Sequence, residues 1–197
     1  MDDKQPQIKC IQVNVKHSKA ATANLMKIIE EDKTDIICIQ EPYTFQSKAA
    51  GILKKYKIFT SGEGRCRAAV AATNNQIDTI FIKQLSDADT LVAEIIKGSL
   101  KIILVSMYFD RETPIEHDLV NIKAVMRHAK ETGVLIATDS NARSTLWHDT
   151  LTNTRGRILE EFITSNQLYI MNEESSNTTF RNHMETSNID LTIIAPS

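Results

Sequence analysis

The sequence predicts a mixed α/β domain, with two β-sheets packed face to face and helices on the outside. Three observations predict it. The chain opens strand, helix, strand; its middle is a run of strand-like segments; its C-terminal part returns to alternating helices and strands. In the middle run the links are short, which imposes antiparallel pairing there.

Taken in order, "IKCIQVNV" (8–15) alternates apolar and polar residues as a strand does. "SKAATANLMKIIEEDKTD" begins with a serine able to cap a helix, and Ala20, Leu25, Ile28 and Ile29 recur near helical spacing. "DIICIQE" (35–41) is a short continuous apolar run, the pattern of a strand buried on both faces. Strands follow at "KIFTS", "CRAAVAAT", "DTIFIKQL" (78–85), "TLVAEIIKG" and "LKIILVSMYF", punctuated by "SGEG" and "TNNQ". "TPIEHDLVNIKAVMRHAKETG" reads as a helix, with Pro114 near its first turn and Gly133 just past its end. "VLIATD" (134–139), the helix "GRILEEFITSNQ" (156–167), "LYIMN" and "NIDLTIIA" (188–195) complete the chain.

A length of 197 residues suits one domain, and 42% hydrophobic with 24% charged residues argues for a folded chain throughout. A formal charge of −2 excludes a global basic field, so any polyanion must be held by a local patch. Cys10, Cys38 and Cys66 are odd in number and widely spaced, a poor pattern for disulfides or zinc, and read as reduced core residues. With no secretory start and no membrane-length apolar run, the expectation is a nuclear or cytoplasmic protein.

Five places set a polar group at the end of, or within, an apolar strand: Asn14, Glu41, Tyr108, Asp139 with Asn141, and Asp190. Singly, each has an ordinary structural reading. Asp139 and Asn141 can form a turn or cap, Glu41 a strand exit, Tyr108 a core aromatic, Asn14 a ladder end, and Asp190 an edge-strand device. Together they ask for one explanation, because strand ends on one side of a sheet converge in space. Oxygen-rich groups of this kind suit a hard cation such as Mg²⁺, which takes one or two carboxylates plus waters and substrate phosphate.

The ordered set "QVN", "IQEPY", "SMYF", "TDSNARSTLW", "NTRGRILEEFI" and "TTF…SNIDLT" resembles the endonuclease/exonuclease/phosphatase (DNase I-like) superfamily, and within it the endonuclease domain of non-LTR, LINE-type retrotransposons. The resemblance spans nearly all of 8–195. It implies a four-layered α/β sandwich, two mixed, mainly antiparallel sheets flanked by helices. It also implies an Mg²⁺-dependent endonuclease, Mn²⁺ being an alternative ion, that nicks double-stranded target DNA and leaves a 3′-hydroxyl for a reverse transcriptase domain of the same polyprotein. Carried over by motif, Glu41 holds the metal with Asn14 beside it, Asp139 orients the attacking water, and Asn141 holds a phosphate oxygen. Tyr108 bonds the scissile phosphate, Ser187 takes the hydroxyl position before "IDLT", and Asp190 orients a catalytic histidine. A monomeric domain is expected.

That histidine belongs to a Ser-Asp-His motif which the family carries after "IDLT" and which "TIIAPS" does not contain. The expectation is a domain truncated at its C-terminus, with an open sheet edge beside "NIDLTII" and weak or no nicking. His17 reads as a loop or phosphate-facing residue; His117, His128, His148 and His183 read as surface residues. DNA grip is expected from Arg143, Arg155 and Arg157 with Trp147, from Lys16, His17 and Lys19, and from the basic pair of "EGRCR", each also readable as solvated surface. Two rival readings remain. One is another superfamily activity, a phosphomonoesterase or abasic-site nuclease; the other is a domesticated DNA-binding or structural domain without catalysis.

Overall fold

The computed structural model describes residues 6–62, 66–175, 177–181 and 186–196. Its strands are β1 (Cys10–Asn14), β2 (Ile36–Gln40), β3 (Thr44–Phe45), β4 (Lys48–Ala49), β5 (Lys57–Thr60), β6 (Ala68–Ala72), β7 (Asp78–Phe81), β8 (Thr90–Lys97), β9 (Leu100–Tyr108), β10 (Val134–Asp139), β11 (Tyr169–Ile170), β12 (Phe180–Arg181), β13 (Thr186–Ser187) and β14 (Asp190–Ala195). The α-helices are α1 (Lys19–Asp32), α2 (Ile115–Ala129) and α3 (Thr154–Ser165).

Two sheets carry the fold, ordered β1-β2-β6-β5 and β11-β14-β10-β9-β8-β7; β3-β4 and β12-β13 are small hairpins. The pairs β1–β2 and β9–β10 are parallel, whereas the middle run is antiparallel as its short links require. Side-chain alternation sorts the core into layers. Ile37, Ile39, Ala69 and Ala71 pack against Leu25, Met26 and Ile29 of α1, while Ile36, Cys38, Val70, Leu91, Ala93 and Leu104 fill the space between the sheets. The outer face of the six-stranded sheet packs on Leu119, Ile122 and Val125 of α2 and on Leu159, Phe162 and Ile163 of α3. The order is therefore helix, sheet, sheet, helices: the four-layered sandwich.

Local chemistry sets the helix ends. Ser18 caps α1, its hydroxyl accepting from the Ala21 amide at 3.1 Å, and the buried stripe is Thr22, Leu25, Met26 and Ile29. Ile28, expected on that stripe, is exposed. Pro114 is the N-cap of α2, and Lys130, at positive φ, ends it three residues before Gly133. The strand expected over 78–85 stops at Phe81, because Lys83–Leu85 turn into a 3-10 helix.

The open edge expected beside "NIDLTII" is not there. β14 lies inside its sheet, between β10 and β11, and Asn172 extends that cover by accepting from the Thr192 amide and donating to the Asp190 carbonyl, both at 2.9 Å. Among the described residues the free edge nearest the site is β1. All three cysteines are free thiols, Cys38 and Cys66 buried. No helix among the described residues is long and apolar enough to cross a membrane.

Candidate active site

Strand register brings the polar residues to one end of the sandwich. Tyr108 and Asp139 are partners across the parallel β9–β10 pair, Asp139 faces Asp190 across β10–β14, and Asn14 faces Gln40, the neighbour of Glu41, across β1–β2. The two sheets are pinned together just beneath: the Gln12 amide donates to the Thr138 carbonyl at 2.9 Å, and the buried Gln40 amide donates to Ser106 and to the Ala137 carbonyl, each at 3.1 Å. Lys16, His17, Glu41 and Asn141, all non-glycine, sit at positive φ. Such backbone conformations are costly, and their concentration around one cleft is what a functional site leads one to expect.

Asn14 is the hub. Its Nδ2 donates to Glu41 Oε2 at 3.0 Å and to Asp139 Oδ2 at 2.7 Å, while its Oδ1 accepts from the Lys16 amide at 2.8 Å. His17 backs the same acid, Nε2 lying 3.2 Å from Glu41 Oε1 and Nδ1 3.0 Å from the Pro42 carbonyl oxygen, so it braces Glu41 instead of facing open solvent. Asn141 is held from both sides: Nδ2 donates to the Phe109 carbonyl at 2.9 Å, and Oδ1 accepts from Arg111 Nε at 2.6 Å. Its amide N–H points at Asp139 Oδ1, 3.3 Å away.

Burial pushes the Asp139 carboxyl up, with Glu41 adding to the rise and Asn14, Asn141 and Arg111 opposing it. Asp190 is pushed up to about 7, first by burial and then by Asp139, and its Oδ1 is buried without a partner among the described residues. Tyr108 is raised by burial and by the negative charges of Glu41 and Asp139, so its phenol stays neutral and able to donate. Asp139 and Asp190 open into a cleft of about 390 Å³ that Asn14, Lys16, Thr179 and Phe180 also line.

The donor set fits a hard cation. Two carboxylates converge on one amide nitrogen, beside a third acid whose buried oxygen has no partner among the described residues. Among the described residues no three His, Cys, Asp or Glu side chains are close enough to form a metal cage. An ion here would rely on Glu41, waters and substrate phosphate, which is the Mg²⁺ habit.

Beside the cleft, separated from it by Phe180, lies a second pocket of about 260 Å³ lined by Arg111, Asn141, Arg143, Asn153, Arg155, Ser187 and Ile189 among others. It gathers Arg143, Arg155 and Ser187, three of the residues read as DNA contacts. Trp147 does not join them: it is 1% exposed and packs in the core beneath α2 and α3, so its indole cannot stack on DNA. Arg157 is exposed, donating to Thr154. Arg67 of "EGRCR" is consumed by ion pairs to Asp89 and Asp110, while Arg65, like His183, lies outside the described residues. Lys16 and Lys19 are exposed, as are His117, His128 and His148. Arg111 escaped the sequence reading; the signal was available in its position three residues after Tyr108.

Comparison with known proteins supplies the lineage. The endonuclease domain of TRAS1, a telomere-specific non-LTR retrotransposon, superposes with a TM-score of 0.84 at 31% identity, covering 95% of this chain and 84% of that one. The chain belongs to the non-LTR retrotransposon endonucleases. The endonuclease-reverse transcriptase family profile matches residues 102–197 of this retrotransposon endonuclease. The 115 kDa protein of the Drosophila melanogaster type-1 retrotransposable element R1DM is 28% identical over 193 residues, and the endonuclease spans 19% of that relative's length. An AP endonuclease from Leishmania major, at 11% identity and a TM-score of 0.66, covering 94% of this chain and 78% of that one, shares the DNase I-like fold.

Proposed function

We propose that this endonuclease nicks double-stranded target DNA by Mg²⁺-dependent hydrolysis of one phosphodiester, leaving a 3′-hydroxyl. The observation that carries the reading is the Asn14 amide, which holds Glu41 and Asp139, from different sheets, in one hydrogen-bonded unit. Glu41 and Asn14 would hold the ion, which when bound supplies positive charge to the phosphate oxygens. Asp139, steadied by Asn14 and by the Asn141 N–H, accepts a proton from the attacking water. Tyr108, kept neutral, donates to a phosphate oxygen, and Asn141 positions another. Water attacks phosphorus, the P–O3′ bond breaks, and the 3′ oxygen leaves and takes up a proton. Target-primed synthesis would follow from a reverse transcriptase domain in the same polyprotein; the family profile and the small share of the R1DM protein that this chain spans support that reading. Chromosomal DNA as substrate calls for a nuclear setting.

The test is conversion of supercoiled plasmid to open circles. Slow nicking that requires Mg²⁺ or Mn²⁺, lost on Asp139→Ala, is the expected result. Metal-independent nicking, or nicking that survives Asp139→Ala, would overturn the mechanism, and DNA binding without any nicking would leave a binding domain in its place.

A further inference from the structure

The arginine pocket beside the cleft has a chemistry of its own. Among the described residues, three guanidinium groups line it and no carboxylate does. Two of the three are held from behind. Arg143 donates to the fully buried Asp149 at 2.8 Å and to the Thr186 carbonyl at 3.3 Å. Arg155 donates to the Thr113 carbonyl at 2.8 Å, but its Nη2 lies 4.0 Å from Asp118, too far for a hydrogen bond, and its Nε and Nη2 are buried without acceptors among the described residues. Its charge is therefore only partly offset. Both side chains are scaffolding that sets a positive field in the pocket wall, strengthened by limited access to solvent.

Arg111 differs. It is exposed, forms no ion pair among the described residues, and is anchored through Nε alone to Asn141 Oδ1. A guanidinium held by one edge keeps its other donors for a planar or tetrahedral anion. The anchor matters as much as the charge, because Asn141 is shared: its amide N–H faces Asp139, and its side chain receives Arg111. An anion on Arg111 is thus tied to the position of the reacting phosphate through a single residue. Phe180 stands between the two depressions, with Lys16 4.2 Å from its ring centroid on the cleft side and Arg111 at 5.8 Å.

We propose that this pocket is a phosphate subsite for the target DNA, in which Arg111 holds the phosphodiester neighbouring the one presented to Asp139 and Asn141. The inference rests on the DNA-nicking reading above and adds a second point of grip. Two anchored phosphates fix the strand's register and direction over the cleft, which one metal-bound phosphate alone cannot do.

The experiment measures duplex binding by fluorescence anisotropy, in EDTA, across a salt series, with the 197-residue chain. Arg111→Ala is expected to weaken binding about tenfold and to lower the slope of log K against log salt by about 0.9. Arg111→Lys should recover the slope, and Arg127→Ala, in the last turn of α2 and outside the pocket, should leave it unchanged. A second arm uses nicked duplexes carrying one neutral methylphosphonate at each phosphate around the nick. At one flanking position the replacement should cost the wild type about tenfold and Arg111→Ala almost nothing. An unchanged slope in Arg111→Ala, or additive losses at every position, overturns the subsite. Sensitivity to removal of a flanking base in place of a phosphate overturns it too, giving the pocket to a nucleobase. The two readings separate cleanly: binding altered as stated without plasmid nicking keeps the subsite and sinks catalysis, whereas nicking with an unchanged slope does the reverse.

Discussion

Asn14 and Asp139 are 125 residues apart and on different sheets, yet Asn14 Nδ2 donates to Asp139 Oδ2 at 2.7 Å. With the bond to Glu41, one neutral amide keeps two acids side by side. Its replacement by a third acid exposes the cost of that arrangement.

Asn14→Asp should therefore lower thermal stability in EDTA, by roughly 1–3 kcal/mol, since the lost donor is exchanged for a like charge. Mg²⁺ should restore more stability to the variant than to the wild type, because a cation relieves three acids more than two. Melting temperatures with and without Mg²⁺ check this; an equal Mg²⁺ response in both proteins would remove the ion from this site.

Gly156, in the first turn of α3, lies against the Arg143 backbone. A Cβ at that position would stand 1.8 Å from the Arg143 carbonyl oxygen and 2.8 Å from its carbon. The contact is fastened by Asn153, whose side chain accepts from both Arg143 N at 3.2 Å and Gly156 N at 2.7 Å. Gly156→Ala should cost at least about 2 kcal/mol, read as a lower urea midpoint with unchanged m-value. It should also weaken DNA binding, because the displaced segment begins two residues after Asn141.

Asp118 on α2 is 4% exposed, and burial, with Asp89, Asp87 and Asp110 nearby, pushes its carboxyl up to about 7 against the pull of Arg155. The sign follows from linkage: the unfolded carboxyl ionises near 4, so native stability falls as pH rises from there to about 7 and is then level. Asp118→Asn removes that loss. It should change the melting temperature little at pH 4.5 and raise it at pH 7.5, with a gain on the order of 2–4 kcal/mol. A gain equal at both pH values would mean that the carboxyl is ionised throughout.

Much of this protein was legible in one dimension. The continuous apolar run of 35–41 and the alternation in 8–15 announced their strands, and Ser18 announced a helix start, because these are local signals of period and capping. Asn14, Glu41, Tyr108, Asp139, Asn141 and Asp190 were legible because a short polar side chain at the mouth of an apolar strand is anomalous wherever it occurs.

Other things were settled only by tertiary packing. Trp147 read as part of a DNA grip with Arg143, Arg155 and Arg157, but it turned inward once α2 and α3 covered the six-stranded sheet, since burying a large indole outweighs leaving it exposed. Arg67 went to Asp89 and Asp110 for want of any local cue that those acids would lie beside it. β14 gained a neighbour on each side through residue pairs 23 or more positions apart. Arg111 became notable only when Asn141, thirty positions later, came to accept its hydrogen bond. The sequence by itself determined which residues were too polar for their strands; the tertiary structure decided which of them meet, because register and sheet packing join side chains that no local period connects.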